Sequence, residues 1–435
     1  MIYGSLLFQL IDFGQILQKV FVMTTKRVAS ILFLSLFGLY ACNSGTSNSS
    51  SATSSESVAI VETVPEMTNI QLSPEATNPA VAIGQLINSA TKSIDIEAFY
   101  FNNLAGTPFE QDIMQNLLNK ANQGIPIRIV VESSMAASSL ANGLNILESS
   151  PNVQIVFNNF FDNYNGGGIV HAKMVLVDNQ SFFIGSQNFD WIAFELNHEV
   201  GGITTNSTLA SQLAMVFNTD FNNGANYDPA TAVPAMPNGN LFVATSPNYN
   251  GVPSEIDNIV NLIDNATSYV DIQAMEIQNY NPYGNPPGYW FTLQDALTRA
   301  AMRGVQVRMM MSNWEFQEGQ MMNYDNEFLL TMMKIPNVTI RYSTFPQTVG
   351  GVCVPYSAVD HAKFMVVDGK NVWIGTGNLA QSYFNNTRDY SIFVTNNSEF
   401  GLNVDNIFLK IWNSSYMTQF FSSVVTPVQP WCPGN

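Results

Sequence analysis

One eighteen-residue stretch occurs twice in this chain, so the fold must hold the same local structure in two places. The first copy runs His171-Ala172-Lys173, then Asp178, then Gly185-Ser186-Gln187-Asn188. The second runs His361-Ala362-Lys363, then Asp368, then Gly375-Thr376-Gly377-Asn378, with every internal spacing kept. HAKMVLVD and HAKFMVVD are rich in valine and read as buried strands. Asp-Asn and Asp-Gly follow as hairpin-turn dipeptides, and SFFIG or NVWIG returns as a second strand.

Side chains alternate across a strand, so His171 and Lys173 share a face, as do His361 and Lys363. The returning strand brings Ser186 and Asn188, or Thr376 and Asn378, toward the same patch. Two such patches facing each other give two imidazoles, two ammoniums and two amides. That set suits phosphoryl transfer: one imidazole attacks phosphorus and the other protonates the leaving oxygen. Lysines and asparagines then stabilise charge on the non-bridging oxygens, and the arrangement requires no metal. A lone His-x-Lys would read as a core histidine; the chain has only three histidines, and the repeat claims two of them.

An attacking imidazole needs its second nitrogen held by an acceptor. Glu199 lies 28 residues after His171 and Asp389 lies 28 residues after His361. These are the candidate acceptors, and the equal spacing pairs each with the histidine of its own copy. Asp178 and Asp368 are expected to hold the hairpin turns. His198, beside Glu199, has no histidine partner in the other copy and is expected in a supporting or surface role.

The pattern HxK-x4-D-x6-G-S/T-x-N, present twice, resembles the phospholipase D superfamily. The phrases IDIEAFYF at 94–101, HAKMVLVDNQSFFIGSQNFDWIAF at 171–194, RGVQVRMMMSNW at 303–314 and HAKFMVVDGKNVWIGTGNLAQSYF at 361–384 look most like its animal lysosomal and poxviral envelope branch. The resemblance covers roughly residues 80 to 425. It implies the phospholipase D fold, a phosphohistidine intermediate with His171 as nucleophile and His361 as general acid, and no cofactor. It implies two substrate classes, phospholipid head groups and single-stranded nucleic acid ends. Thr376 stands where many members have serine and still offers a hydroxyl. Asp389 stands where glutamate is common, a shorter reach.

The repeat extends beyond the motifs. ATSYVDIQA at 266–274 matches ATKSIDIEA at 90–98, and ALTRAAMRGVQVRMMM at 296–311 matches LLNKANQGIPIRIVV at 117–131. Strands alternate with amphipathic helices, as an α/β layered domain requires. The expected fold is two similar mixed-sheet α/β halves, residues 71–225 and 255–435, packed about a pseudo-twofold axis so that both motifs meet at one cleft. A Pro/Asn/Gly-rich linker, 226–254, joins them.

Residues 1–42 read as an export signal with Met23 as the start. Lys26 and Arg27 precede an apolar run too short to span a membrane, and small Ala41 precedes Cys42. Leu39-Tyr40-Ala41-Cys42 resembles a lipobox, which makes Cys42 a lipidation candidate and the protein an exported, membrane-anchored lipoprotein, otherwise a secreted one. Residues 43–70 are read as a tether, Ser/Asn/Thr-rich at its start. With Cys42 lipidated, Cys353 and Cys432 remain as a disulfide candidate. Three cysteines and three histidines leave almost no ligands for a zinc site.

Net charge is −17, and only 11% of residues are charged against about 25% in an average globular protein. Such acidity repels long polyanions and disfavours a high-affinity nucleic-acid binder. Loops at 102–108, 163–168, 279–291 and 345–356 are expected to rim the cleft, and their aromatic residues suit stacked bases, acyl chains or plain loop anchoring. Met302, Met309, Met310, Met311, Met321 and Met322 are expected to fill the core of the second half. The sequence therefore points to a phosphodiesterase acting on a phospholipid or similar phosphodiester. A 5′ exonuclease on single strands using the same two histidines is the alternative, and a catalytically silent binding protein is the third reading.

Overall fold

The repeat is realised as two eight-stranded mixed sheets in a computed structural model, which describes residues 57–160, 168–224, 227–281, 287–316 and 322–420. The first sheet is built from β1 (Val58–Thr63), β2 (Ala76–Thr77), β3 (Ile94–Ala98), β4 (Ile127–Glu132), β5 (Val153–Asn158), β6 (Lys173–Val177), β7 (Ser181–Gly185) and β8 (Glu199–Thr205). Its order is β2-β1-β8-β7-β6-β3-β4-β5. The second contains β9 (Leu241–Ser246), β10 (Tyr269–Ala274), β11 (Gln306–Ser312), β12 (Val338–Ser343), β13 (Phe364–Val367), β14 (Asn371–Gly375), β15 (Asp389–Val394) and β16 (Met417–Gln419). Its order is β9-β15-β14-β13-β10-β11-β12-β16. Seven strands correspond one to one; only β2 and β16, at opposite edges, have no counterpart.

The layers follow from which faces are apolar. Helices α1 (Pro79–Asn88) and α2 (Gln115–Asn122) cover the outer face of the first sheet through Ile83, Ile87 and Leu117. Helices α4 (Glu255–Asp264) and α5 (Thr292–Met302) do the same for the second through Ile259, Ile263 and Leu297. Between the sheets lies one shared core. There Met174, Leu176, Phe182 and Ile184 join Phe364, Val366, Val372 and Ile374, with α3 (Ser207–Phe221) and α6 (Ser398–Trp412) packed alongside. Continuous apolar strands are what a sheet buried on both faces requires. Met309, Met310 and Met311 fill the core as expected, whereas Met302 is 67% exposed at the end of α5, and Met321 lies outside the described residues.

Both motif hairpins turn through residues with positive φ: Asp178 (56°) and Asn179 (53°), then Asp368 (53°) and Gly369 (63°). That is the type I′ geometry that Asp-Asn and Asp-Gly favour. The Asp178 carboxylate accepts from the Thr91 hydroxyl at 2.6 Å and from the backbone N–H groups of Thr91, Lys92 and Ser93. Asp368 does the same with the Thr267 hydroxyl at 2.7 Å and the N–H groups of Thr267, Ser268 and Tyr269. Both aspartates therefore staple the turn to the start of the neighbouring strand, β3 or β10, as expected.

Two expected boundaries move. Val58–Thr63, placed by sequence in the 43–70 tether, is a strand that pairs antiparallel with Glu199–Thr205. Its Ser-rich approach and the charge of Glu62 disguise an otherwise β-forming VAIVET. Likewise Leu241–Ser246, inside the expected 226–254 linker, pairs with Asp389–Val394 as the edge strand of the second sheet. The export signal, Cys42, Cys432 and most of the 163–168 loop lie outside the described residues. Cys353 is disulfide-bonded.

Candidate active site

Each motif histidine stands just ahead of the first strand of its hairpin, where the chain leaves one half to meet the other. The N–H of His171 donates to the carbonyl of Arg388 at 3.0 Å, and the N–H of Arg388 donates to Ile169 at 2.9 Å. The other junction repeats this: His361 N–H to the His198 carbonyl at 2.9 Å, and His198 N–H to Val359 at 2.9 Å. Two short parallel bridges thus clamp each motif histidine to the segment that carries the other half's carboxylate.

The carboxylates consequently cross over. His171 Nδ1 lies 3.1 Å from Asp389 Oδ1, and His361 Nδ1 lies 2.9 Å from both oxygens of Glu199. The equal 28-residue spacings had pointed to pairing within each copy; the structure instead pairs each histidine with the carboxylate of the other half. Continuing the strand registers, His171 and Glu199 both fall opposite Gln187, on its two sides. Their backbones are two inter-strand steps apart, about 9.6 Å at ~4.8 Å per step. In the folded chain each carboxylate meets the histidine of the opposite half.

The hydroxyls serve the carboxylates. Thr376 Oγ1 donates to Asp389 Oδ1 at 2.6 Å and accepts from the Tyr390 N–H. The hydroxyl of Ser186 is bound to the Val200 backbone at 3.0–3.2 Å and to Glu199. Ser186 and Thr376 were expected beside the histidine and lysine of their own copy; they act instead one bond further out.

The lysines complete the cluster. Lys173 and Lys363 are fully buried. Lys173 Nζ lies 3.0 Å from His171 Nε2 and 3.4 Å from the Thr376 carbonyl, so it reaches across to the second motif. Asn378 donates to the Tyr383 hydroxyl at 3.2 Å, and among the described residues the amide oxygens of Asn188 and Asn378 have no hydrogen-bond partner. Rings flank His171: Phe99 and Tyr383 lie 5.3 and 5.1 Å from its ring. Tyr383 corresponds in the repeat to Ala193, so the two motifs are chemically unequal.

Burial and crowding of like charges set the protonation. Burial, then Lys173, Lys363 and the other imidazole, push His171 well below the ordinary histidine value; burial and both lysines do the same to His361. Lys363 is lowered to about 8, chiefly by burial, and Lys173 falls well below its usual range. Burial raises Glu199 to about 8 against the pull of Lys363, and raises Asp389 well above its ordinary value. Near neutrality the His361–Glu199 pair therefore holds one proton between its two members. An arriving phosphate anion favours the charged lysines, because it supplies the counter-charge that burial withholds.

Sequence reasoning foresaw only part of the second layer: it gave His198 a supporting or surface role and passed over Arg388, Asp360 and Glu62. His198 is wholly buried between Asp360 and Glu62, and Arg388, its counterpart 190 positions on, is wholly buried on Asp220 at 2.6 Å. The repeat itself carried the signal: a cationic residue precedes the carboxylate in both copies.

Two facing imidazoles, each held at Nδ1, with two lysines and two asparagines beside them, define a phospholipase D-type phosphodiesterase. The chain belongs to the family described as "Cardiolipin synthase, PLD-like domain", whose model matches residues 83–221 and 259–412. It is 28% identical over 397 residues to Phospholipase D Z of Dictyostelium discoideum, covering 83% of this chain and 90% of that one. It is 28% identical to the 5′-3′ exonuclease PLD3 of Rattus norvegicus (82% and 79%), and 27% identical to the virion nicking-joining enzyme of Vaccinia virus (79% and 85%). Among solved structures, phosphatidylserine synthase of Haemophilus influenzae shares the fold with TM-score 0.55 at 14% identity, over 78% of this chain and 85% of that one.

Proposed function

We propose that this chain hydrolyses a phosphodiester through a covalent phosphohistidine. The carrying observation is the crossed clamp: each Nδ1 faces a buried carboxylate, which makes Nε2 the reacting nitrogen of each histidine, with Lys173 Nζ beside that of His171. Nε2 of His171 attacks phosphorus, the bond to the leaving oxygen breaks, and that oxygen takes the proton held by the His361–Glu199 pair. Water then attacks the phosphohistidine and gives a proton back to His361, releasing a phosphomonoester. Lys173, Lys363, Asn188 and Asn378 bind the non-bridging oxygens as negative charge builds on them. Asp389, with Thr376, and Glu199, with Ser186, fix the tautomers. The choice of His171 as nucleophile rests on the family resemblance.

The substrate reading is a phospholipid or similar small phosphodiester. A chain of net charge −17 with 16 Lys and Arg has few cations for a long polyanion. Lipidation at Cys42, read from sequence alone, would hold the exported body beside a bilayer and raise the local lipid concentration. The second reading is a 5′ exonuclease on single strands, supported by the rings flanking His171 and by relatives that bear that name. Protein beginning at Asn43 is given mixed-lipid vesicles and, separately, a 5′-hydroxyl oligonucleotide. Head-group release, or exchange onto an added primary alcohol, is the expected outcome. Stepwise loss of 5′ nucleotides with untouched lipid would overturn the lipid reading.

A further inference from the structure

The third histidine is built into the junction that presents His361. Residues 196–199 of the first half run beside 358–361 of the second. Ala358 N–H donates to the Leu196 carbonyl at 3.2 Å, and Val359 N–H to the Asn197 side chain at 3.1 Å. His361 N–H then donates to the His198 carbonyl and His198 N–H to that of Val359, and Glu199 takes His361 Nδ1. The one side chain in this ladder that carries a second ionic contact is His198. Its Nδ1 lies 2.8 Å from Asp360 Oδ1, and its Nε2 lies 3.5 Å from Glu62 Oε1.

The charged and polar groups around His198 are Asp360, Glu62, Gln273, Lys410 and Ser73; among the described residues its Nε2 has the ionic contact with Glu62 and no hydrogen bond. Asp360 also accepts from the Gln273 amide, which lies 2.8 Å from His198 Nδ1. Glu62 accepts from Lys410 Nζ at 2.6 Å and from the Ser73 N–H, and Lys410 also donates to the Ser73 hydroxyl. Glu199 feels the His198 charge from the neighbouring position, and Asp360 in turn acts on His361 and Lys363. Glu62, Asp360, Lys410 and His198 sum to zero only when His198 is an imidazolium. Without its proton, two buried carboxylates would face a single cation, a costly state in a site sealed from water. Burial alone would lower this imidazole, but Asp360 and Glu62 raise it to about 9. In the other half the same position holds Arg388, a permanent cation, whose guanidinium binds Asp220 and the Ser246 carbonyl and leaves Val170, the residue before His171, without an ionic contact.

We propose that His198 is a positioning residue of the second motif: a buried imidazolium that grips Asp360 and Glu62 and thereby fixes the His361–Glu199 pair for proton transfer. The proposal rests on the reading that His361 serves the reaction, so the test has an arm independent of turnover. With three histidines in the chain, ring signals of 13C-histidine-labelled protein are assigned by deleting each in turn. His198 should remain protonated through pH 8. In His198→Gln the His361 signal should shift and that of His171 should not. kcat should fall about 10- to 100-fold, the order expected for a catalytic group displaced by up to an ångström, with KM within about twofold. His198→Gln/Asp360→Asn, which removes the unpaired buried anion, should recover part of the loss. If His198→Gln does not fold, Glu62→Gln serves instead, and should lower the His198 midpoint and reduce kcat with it. A folded His198→Gln with unchanged kcat and an unchanged His361 signal overturns the proposal, as does a wild-type His198 that titrates near 6.5. If no phosphodiester is turned over, the reading of the site fails, while the two ring signals still decide the role of His198.

Discussion

The crossed clamp makes Glu199→Gln an informative perturbation. Glu199 is fully buried and meets His361 Nδ1 at 2.9 Å, while His171, 28 residues upstream in the same half, is held by Asp389. Glutamine keeps the volume and one acceptor but removes the carboxyl group that shares the proton. Hydrogen bonds to charged groups contribute about 1.5–3 kcal/mol. If the transition state uses that amount at the departing oxygen, the loss in kcat is about 10- to 150-fold. The second readout is the ring signals: Glu199→Gln should perturb His361 and leave His171 unchanged, and Asp389→Asn should do the converse. An Asp389→Asn protein keeps one oxygen, which must still accept from both His171 Nδ1 and the Thr376 hydroxyl, as Oδ1 does in the wild type. If Glu199→Gln perturbs His171 while His361 stays unchanged, the crossed pairing is refuted.

Two further expectations concern the reaction itself. His171→Ala and His361→Ala should each lower turnover by several orders of magnitude while EDTA leaves it unchanged, since lysines supply the charge; acid-quenched protein should carry phosphate on the His171 peptide, and phosphate found only on His361 would reverse the two roles. In the pH profile, Lys363 and the His361–Glu199 pair both lose their protons as pH rises through about 8, so kcat should fall there more steeply than tenfold per pH unit; because His171 titrates well below 6.5, it stays neutral above that value and no acid limb should appear near 6.5, and activity still rising at pH 9 would contradict both assignments.

Much of this architecture is local and therefore legible in sequence. Asp-Asn and Asp-Gly specify type I′ turns because few other dipeptides adopt two positive φ angles. The alternation around His171-x-Lys173 specifies a shared face, and the repeated phrases specify two equivalent sheets. Membership of the phospholipase D superfamily followed from the same residues. What the sequence left open were contacts made only when the halves close on each other. The partners of His171 and His361 lie 218 and 162 positions away, and the local spacing of 28 pointed to the wrong ones. Val58–Thr63 and Leu241–Ser246 read as tether and linker because a strand at or near a sheet edge needs only a neighbour's hydrogen bonds, and that neighbour is remote in sequence. His198 looked unpaired for a similar reason. Its charge is set by Asp360 and Glu62, which the chain brings to it from 162 and 136 positions away. Local pattern fixed which groups the two motifs carry; the packing of one half against the other decided which group each of them touches, and hence which protons they hold.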